Sequence, residues 1–157
     1  MKLTAQAAEA LLRFASGAIR AGLAARQPGD PDLSECPPEL LAHRACFVTL
    51  TTPRDGLRGC RGMLEARRAL ALDAWHNAFA SAFDDPRFPA VARAEFAELE
   101  IDISVLGPLE PIAVGSEQEL LRALVPGRDG LVLAWRGRRA TFLPKVWESL
   151  PDPSAFL

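Results

Sequence analysis

The chain has 157 residues, 49% hydrophobic and 24% charged, which is enough apolar side chain to bury a core and too much for a disordered segment. Its net charge of −2 removes any general attraction to phosphate polymers, so nucleic acid is a poor default partner. Cys36, Cys46 and Cys60 form no Cys-x-x-Cys pair, and with only His43 and His76 to add, neither a disulfide framework nor a metal site is expected.

Lys2 and the alanines after it superficially match a secretion signal, but Glu9, Arg13 and Arg20 interrupt the apolar run. No stretch approaches the ~18 apolar residues of a membrane span, so a cytoplasmic protein without membrane attachment is expected. Thr4 caps a first helix to about residue 23, with Leu11, Leu12, Ala15, Ile19 and Leu23 as its apolar stripe and Gly22 at its frayed end. Residues 27–38, with Gln27, Pro28 and a Cys-Pro-Pro run, form an irregular loop in which Cys36 is incidental. Residues 46–51 and 57–61 are the strands of a hairpin closed by Pro53-Arg54-Asp55-Gly56. A second helix, about 70–83, turns Leu72, Trp75, Phe79 and Phe83 toward the core, and the neighbours His76 and Asn77 cannot both face it. Pro86 and Pro89 stop that helix. Residues 99–105 alternate most clearly, with Leu99, Ile101, Ile103 and Val105 on one face and Glu100, Asp102 and Ser104 on the other. Ser116 and Glu119 form a capping box for a short helix to about residue 124. A last hairpin joins 130–135 to 140–143 through Arg136-Gly137-Arg138-Arg139, and Asp152 with Pro153 opens a helical turn.

The chemistry concentrates in Leu57-Arg58-Gly59-Cys60-Arg61-Gly62. Gly59 and Gly62 lack Cβ atoms, so another group, protein or ligand, can come close to the sulfur. In an extended segment Arg58 and Cys60 share one face. A guanidinium there favours the thiolate, the form that attacks carbon or sulfur and binds metal. The competing role of a lone strand cysteine is a small core residue. Glu100, Asp102 and Ser104 offer two carboxylates and a hydroxyl, whose competing role is a solvated sheet face.

Five segments in order, Phe47-Val48-Thr49-Leu50, Leu57-Arg58-Gly59-Cys60, Asp85-Pro86-Arg87-Phe88-Pro89, Ile103-Ser104-Val105-Leu106 and Leu143-Pro144, resemble the AMMECR-one domain family. Its bacterial and archaeal members are called AmmeMemoRadiSam system protein A. The resemblance covers nearly the whole chain. It implies one α+β domain over residues 1–157, an antiparallel β-sheet with flanking helices, and a larger and a smaller lobe with a groove between them near Cys60. Position by position, Arg58 and Cys60 match the Leu-Arg-Gly-Cys motif, and Asp85, Arg87 and Phe88 match Asp-Pro-Arg-Phe. The chain departs at Arg61, where an aliphatic residue is usual, at Lys145, where a glutamine is common, and in lacking the family's further C-terminal segment. Members of the family occur fused to, or beside, a Memo-like protein and a radical SAM protein, which implies those partners. The resemblance names no cofactor and no oligomeric state.

Three functions compete. As an enzyme, Cys60 is the nucleophile, Arg58 or Arg87 stabilises a thiolate or oxyanion, and Glu100 or Asp102 accepts the proton, although no Cys-His pairing is legible in the spacing. As a binding module, Arg58, Arg87 and the groove, with Asp85, Gly59, Arg61 and Ser104 around them, dock an acidic small molecule, peptide or protein partner without turnover. As an RNA binder, Arg136, Arg138 and Arg139 contact phosphate. That reading ranks last because no stacking aromatic is expected on the hairpin tip.

Overall fold

The structure, a computed structural model, describes residues 3–25 and 29–156. Lys2 and the loop residues Gln27 and Pro28 lie outside the described residues, as does the side chain of Lys145. The chain divides into two compact units, Met1–Leu109 and Glu110–Leu157. Each combines helix with antiparallel strand, giving the α+β class expected.

In the first unit, α1 (Ala5–Ala24) and α2 (Leu70–Phe83) pack on a three-stranded antiparallel sheet of β1 (Cys46–Thr52), β2 (Gly56–Gly62) and β3 (Glu100–Val105), ordered β2-β1-β3. The Thr4 hydroxyl caps α1 by accepting the amide proton of Ala7 at 3.2 Å. Leu11, Ala15 and Ile19 are buried as the periodicity requires, whereas Leu12 is turned out because Ala7, Ala10 and Ala18 complete the core face. Gly22 does not end the helix. A Cβ there would overlap the rings of Phe79 and Phe83, so this glycine marks the close crossing of α1 and α2.

The buried face of α2 also differs from its expected aromatic stripe. Ala71, Ala74, Ala78 and Ala82 fill it together with Asp73, Asn77 and Ser81, while Leu72, Trp75, Phe79 and Phe83 are half-buried. The small side chains bring the helix close to the sheet, and the three polar ones, spaced four apart, bond to it. Asp73 accepts from the Cys46 amide at 2.9 Å, and Asn77 donates to the Cys46 carbonyl at 3.0 Å and to Asp73 at 2.9 Å. The Ser81 hydroxyl lies 2.8 Å from the Val48 carbonyl and accepts from the Arg61 amide at 2.9 Å. These bonds fix the helix in register with β1 and β2, while the second Asp73 oxygen, Oδ1, is buried with no hydrogen-bond partner among the described residues and lies 3.4 Å from Arg68 Nε. His76, next to Asn77, faces away and meets Asp30 at 2.9 Å.

Ile101, Ile103 and Val105 of β3 join the core, as the alternation predicts. Pairing sets Thr49 between Cys60 on β2 and Asp102 on β3, with Phe47 opposite Ser104 and Thr51 opposite Glu100. The register of β2 shifts between Leu50 and Thr51: Gly59 opposes Leu50 but Leu57 opposes Thr51, so Arg58 is the extra residue of a β-bulge.

The second unit holds α3 (Glu117–Ala123), the hairpin of β4 (Leu131–Trp135) and β5 (Arg138–Phe142), and α4 (Pro153–Phe156), and its small core is Leu124, Leu131 and Trp147 with Leu120, Phe142 and Val146 packed against them. The Ser116 hydroxyl accepts from the Glu119 amide at 3.3 Å, and the Glu119 carboxylate returns to the Gly115 amide at 2.8 Å, one residue beyond a standard capping box. The basic turn is shorter than expected. Arg138 and Arg139 belong to β5, leaving Arg136 and Gly137 with φ of 46° and 77°, the left-handed pair that a two-residue hairpin turn requires. Among the described residues, no helix is long and apolar enough to cross a membrane.

Candidate functional site

Cys60 lies on β2, at the edge of the sheet, and the loop that follows α2 closes on its peptide group. Its amide donates to Asp85 Oδ2 at 2.9 Å. The same carboxylate takes the Arg87 amide at 3.1 Å, Arg87 Nε at 2.9 Å and Arg87 Nη2 at 2.7 Å. Arg87 Nη2 in turn reaches the Cys60 carbonyl at 3.4 Å, so both ends of the Cys60 residue are held by one Asp-Pro-Arg segment. The loop is available for this because Pro86 cannot continue the helix and turns the chain back toward β2.

The electrostatics follow from that geometry. The side chain of Asp85 is 2% exposed and that of Arg87 54%. Hydrogen bonds from Arg87, helped by the two backbone amides, hold the Asp85 carboxyl well below the usual carboxylate range despite its burial. The same contact raises Arg87. Cys60 is half-buried as a residue, and its sulfur lies 3.4 Å from the Thr49 hydroxyl. The other thiols differ. Cys46 is fully buried in the core and pushed up to about 12, by burial first and then by the Asp73 charge. Cys36 is raised by burial alone and sits in a shallow depression lined by Arg13, Phe14 and Asp32.

Arg58 is engaged elsewhere. Its Nε and Nη2 donate to the two oxygens of Glu95 at 2.9 and 3.2 Å, and the residue is 7% exposed, with Nη1 buried and without a hydrogen-bond partner among the described residues. This bond, followed by one from the Ala92 amide, lowers Glu95 from the ordinary glutamate range. The cation touching the Cys60 peptide is Arg87.

The glycines of the motif are occupied by the protein itself. A Cβ on Gly59 would overlap the Ser81 carbonyl of α2, and one on Gly62 would overlap Phe47 and the Cys46 carbonyl. The Arg61 amide is held by Ser81 while its side chain is exposed. Asp102 shares the register of Cys60 through Thr49, two strand spacings or about 9.6 Å away along the sheet. Glu100 and Ser104 flank Asp102 on the same face; Glu100 and Asp102 are exposed and Ser104 half-buried. His76 bonds Asp30, and His43 forms a backbone bridge with Ala69. Among the described residues no cluster of His, Cys, Asp or Glu is arranged to hold a metal.

Three participants escaped sequence reasoning: Thr49, Ser81 and Glu95. The spacing of Asp73, Asn77 and Ser81 on an otherwise apolar helix was a usable signal for Ser81. Thr49 stood in a recognised strand, opposite a hairpin partner that its turn identified. Nothing in the sequence around Glu95 marks it as the partner of Arg58.

The AMMECR1 family model matches residues 12–157. The chain belongs to the AMMECR1 family. A protein of Methanococcus aeolicus is 39% identical over 116 residues, covering 73% of this chain and 58% of that relative. Protein MJ0810 of Methanocaldococcus jannaschii is 35% identical over 146 residues, 92% of this chain and 71% of its own. The crystal structure of the uncharacterized protein PH0010 from Pyrococcus horikoshii, 34% identical, matches with a TM-score of 0.91 over 100% of this chain and 79% of that one. This AMMECR1-family chain thus spans 58–79% of the length of these relatives.

Proposed function

We propose that this AMMECR1-family chain performs thiol-based chemistry at Cys60 on a small or peptide substrate, in a system that includes a Memo-like protein and a radical SAM protein. The observation that carries the reading is the treatment of Cys60. Its backbone is held at both N–H and C=O by Asp85 and Arg87, yet the residue stays half-buried, with its sulfur beside a hydroxyl. A thiol used only for packing resembles Cys46 instead. In this reading Cys60 is the nucleophile, Thr49 orients the sulfur, and the half-exposed guanidinium of Arg87 meets an anionic group of the substrate. Glu100 or Asp102, on the same sheet face, receives the thiol proton through water or substrate.

The second reading is a binding module for an acidic ligand or protein partner. The Arg58–Glu95 pair favours it, because that pair neutralises the guanidinium expected to activate the thiol. One experiment separates the two. The native chain is incubated with a peptide thioester, and its three cysteines are followed by mass spectrometry. Thiol chemistry gives an acyl adduct on Cys60 and none on Cys46; a pure binding module gives no adduct.

A further inference from the structure

The β4–β5 hairpin ends in a surface that the core of its own unit does not use. Along the face of β4 that carries Leu131, Leu133 and Trp135, exposure climbs from 6% to 38% to 72% toward the turn. Trp135 pairs with Arg138 across the hairpin, and the guanidinium carbon of Arg136 lies 5.3 Å from the centre of the indole. Arg139 pairs with Ala134 on the opposite face. Arg136, Arg138 and Arg139 have no ion-pair partner among the described residues. The expectation that this tip lacks an aromatic is corrected here: a two-residue turn places Trp135 directly beside it.

We propose that this tip binds single-stranded nucleic acid, with a base stacked on Trp135 and phosphates met by the three arginines. Stacking on an indole tolerates any base, and arginine adds both charge and a planar cation over the ring. An acidic protein segment would account for the arginines but not for a ring standing proud of any apolar pocket. A lipid surface would call for a broader apolar face than Trp135 and Leu133 provide. The chain's overall charge of −2 confines the contact to the tip and makes it weak.

The test is fluorescence anisotropy of labelled oligo(dT) and oligo(U) titrated with the chain at low salt, together with quenching of tryptophan emission. Three phosphate contacts on a single strand give a slope of about −2 in log affinity against log salt, or about tenfold weaker binding for each threefold rise in salt. Trp135→Ala is expected to weaken binding at least about fivefold, while Trp135→Phe, which keeps a stacking ring, retains most of it. Arg138→Glu with Arg139→Glu is expected to flatten the salt slope. These substitutions lie on exposed positions, and an unchanged circular dichroism spectrum verifies the fold. Equal binding of the two oligonucleotides supports backbone and stacking recognition; a preference for oligo(U) narrows the ligand to RNA. No anisotropy change at low salt overturns the proposal. So does binding that survives both sets of substitutions, or retention on phosphatidylserine vesicles in its place.

Discussion

Replacing Asp85 by asparagine keeps the shape of the side chain and removes its charge. Oδ1 accepts from the Arg87 amide and Nε, and Oδ2 from the Cys60 amide and Arg87 Nη2. An asparagine oxygen can replace only one of these two acceptors, and its NH₂ turns donors toward the remaining N–H groups, so two bonds are lost in either orientation. Bonds to a charged partner contribute about 1.5–3 kcal/mol each when buried, but Arg87 is 54% exposed, and discounting for solvent leaves about 2–3 kcal/mol in all. Urea denaturation of wild type and Asp85→Asn measures this directly, and a fall in melting temperature of about 5–10 °C should accompany it. The pH dependence has a definite sign. Because the Asp85 pKa is depressed in the folded state, its contribution is fully present above the ordinary carboxylate value near 4 and is lost as pH falls below it. The gap between wild type and variant is therefore flat from about pH 5 to 8 and narrows in acid. A gap below about 0.5 kcal/mol, or one that varies between about pH 6 and 8, would refute the assignment of Asp85 as the charged anchor of Cys60.

Gly59→Ala drives a methyl group into the Ser81 carbonyl, a backbone atom that cannot rotate away, and is expected to cost at least about 2 kcal/mol in the same denaturation assay. Arg58→Ala removes a bidentate partner from the partly exposed Glu95, so a loss of about 1–2 kcal/mol is expected with unchanged alkylation of Cys60. Native-state alkylation followed by peptide mass spectrometry should leave Cys46 unmodified up to about pH 9, since its thiol is buried and raised to about 12. Modification of Cys46 before Cys60 would contradict the burial argument.

The elements most legible in the sequence were those fixed by local chemistry. The first hairpin followed from β-rich residues around Pro53-Arg54-Asp55-Gly56, and β3 from strict alternation. The Asp85 and Arg87 positions emerged from their motif, and the structure brings both to Cys60. Arg58 was misjudged because alternation assumes a regular strand, and the bulge at that residue breaks it. The core face of α2 was misjudged because periodicity weighs large apolar residues, whereas close packing on a sheet selected alanines and a bonded polar row. The glycines signalled close approach correctly but could not say of what; at Gly59 it is the α2 backbone. Trp135 was hidden by turn length, which two residues of left-handed backbone shortened.

The most direct test of the Cys60 site is the rate at which iodoacetamide modifies that thiol at neutral pH, in a Cys36→Ser, Cys46→Ala background, with Arg87→Ala and Arg58→Ala compared. Rapid modification that Arg87→Ala slows by at least about threefold, and that Arg58→Ala leaves unchanged, is the expected result. A Cys60 that resists modification, or whose rate depends on Arg58 and not on Arg87, would contradict the proposed thiol site.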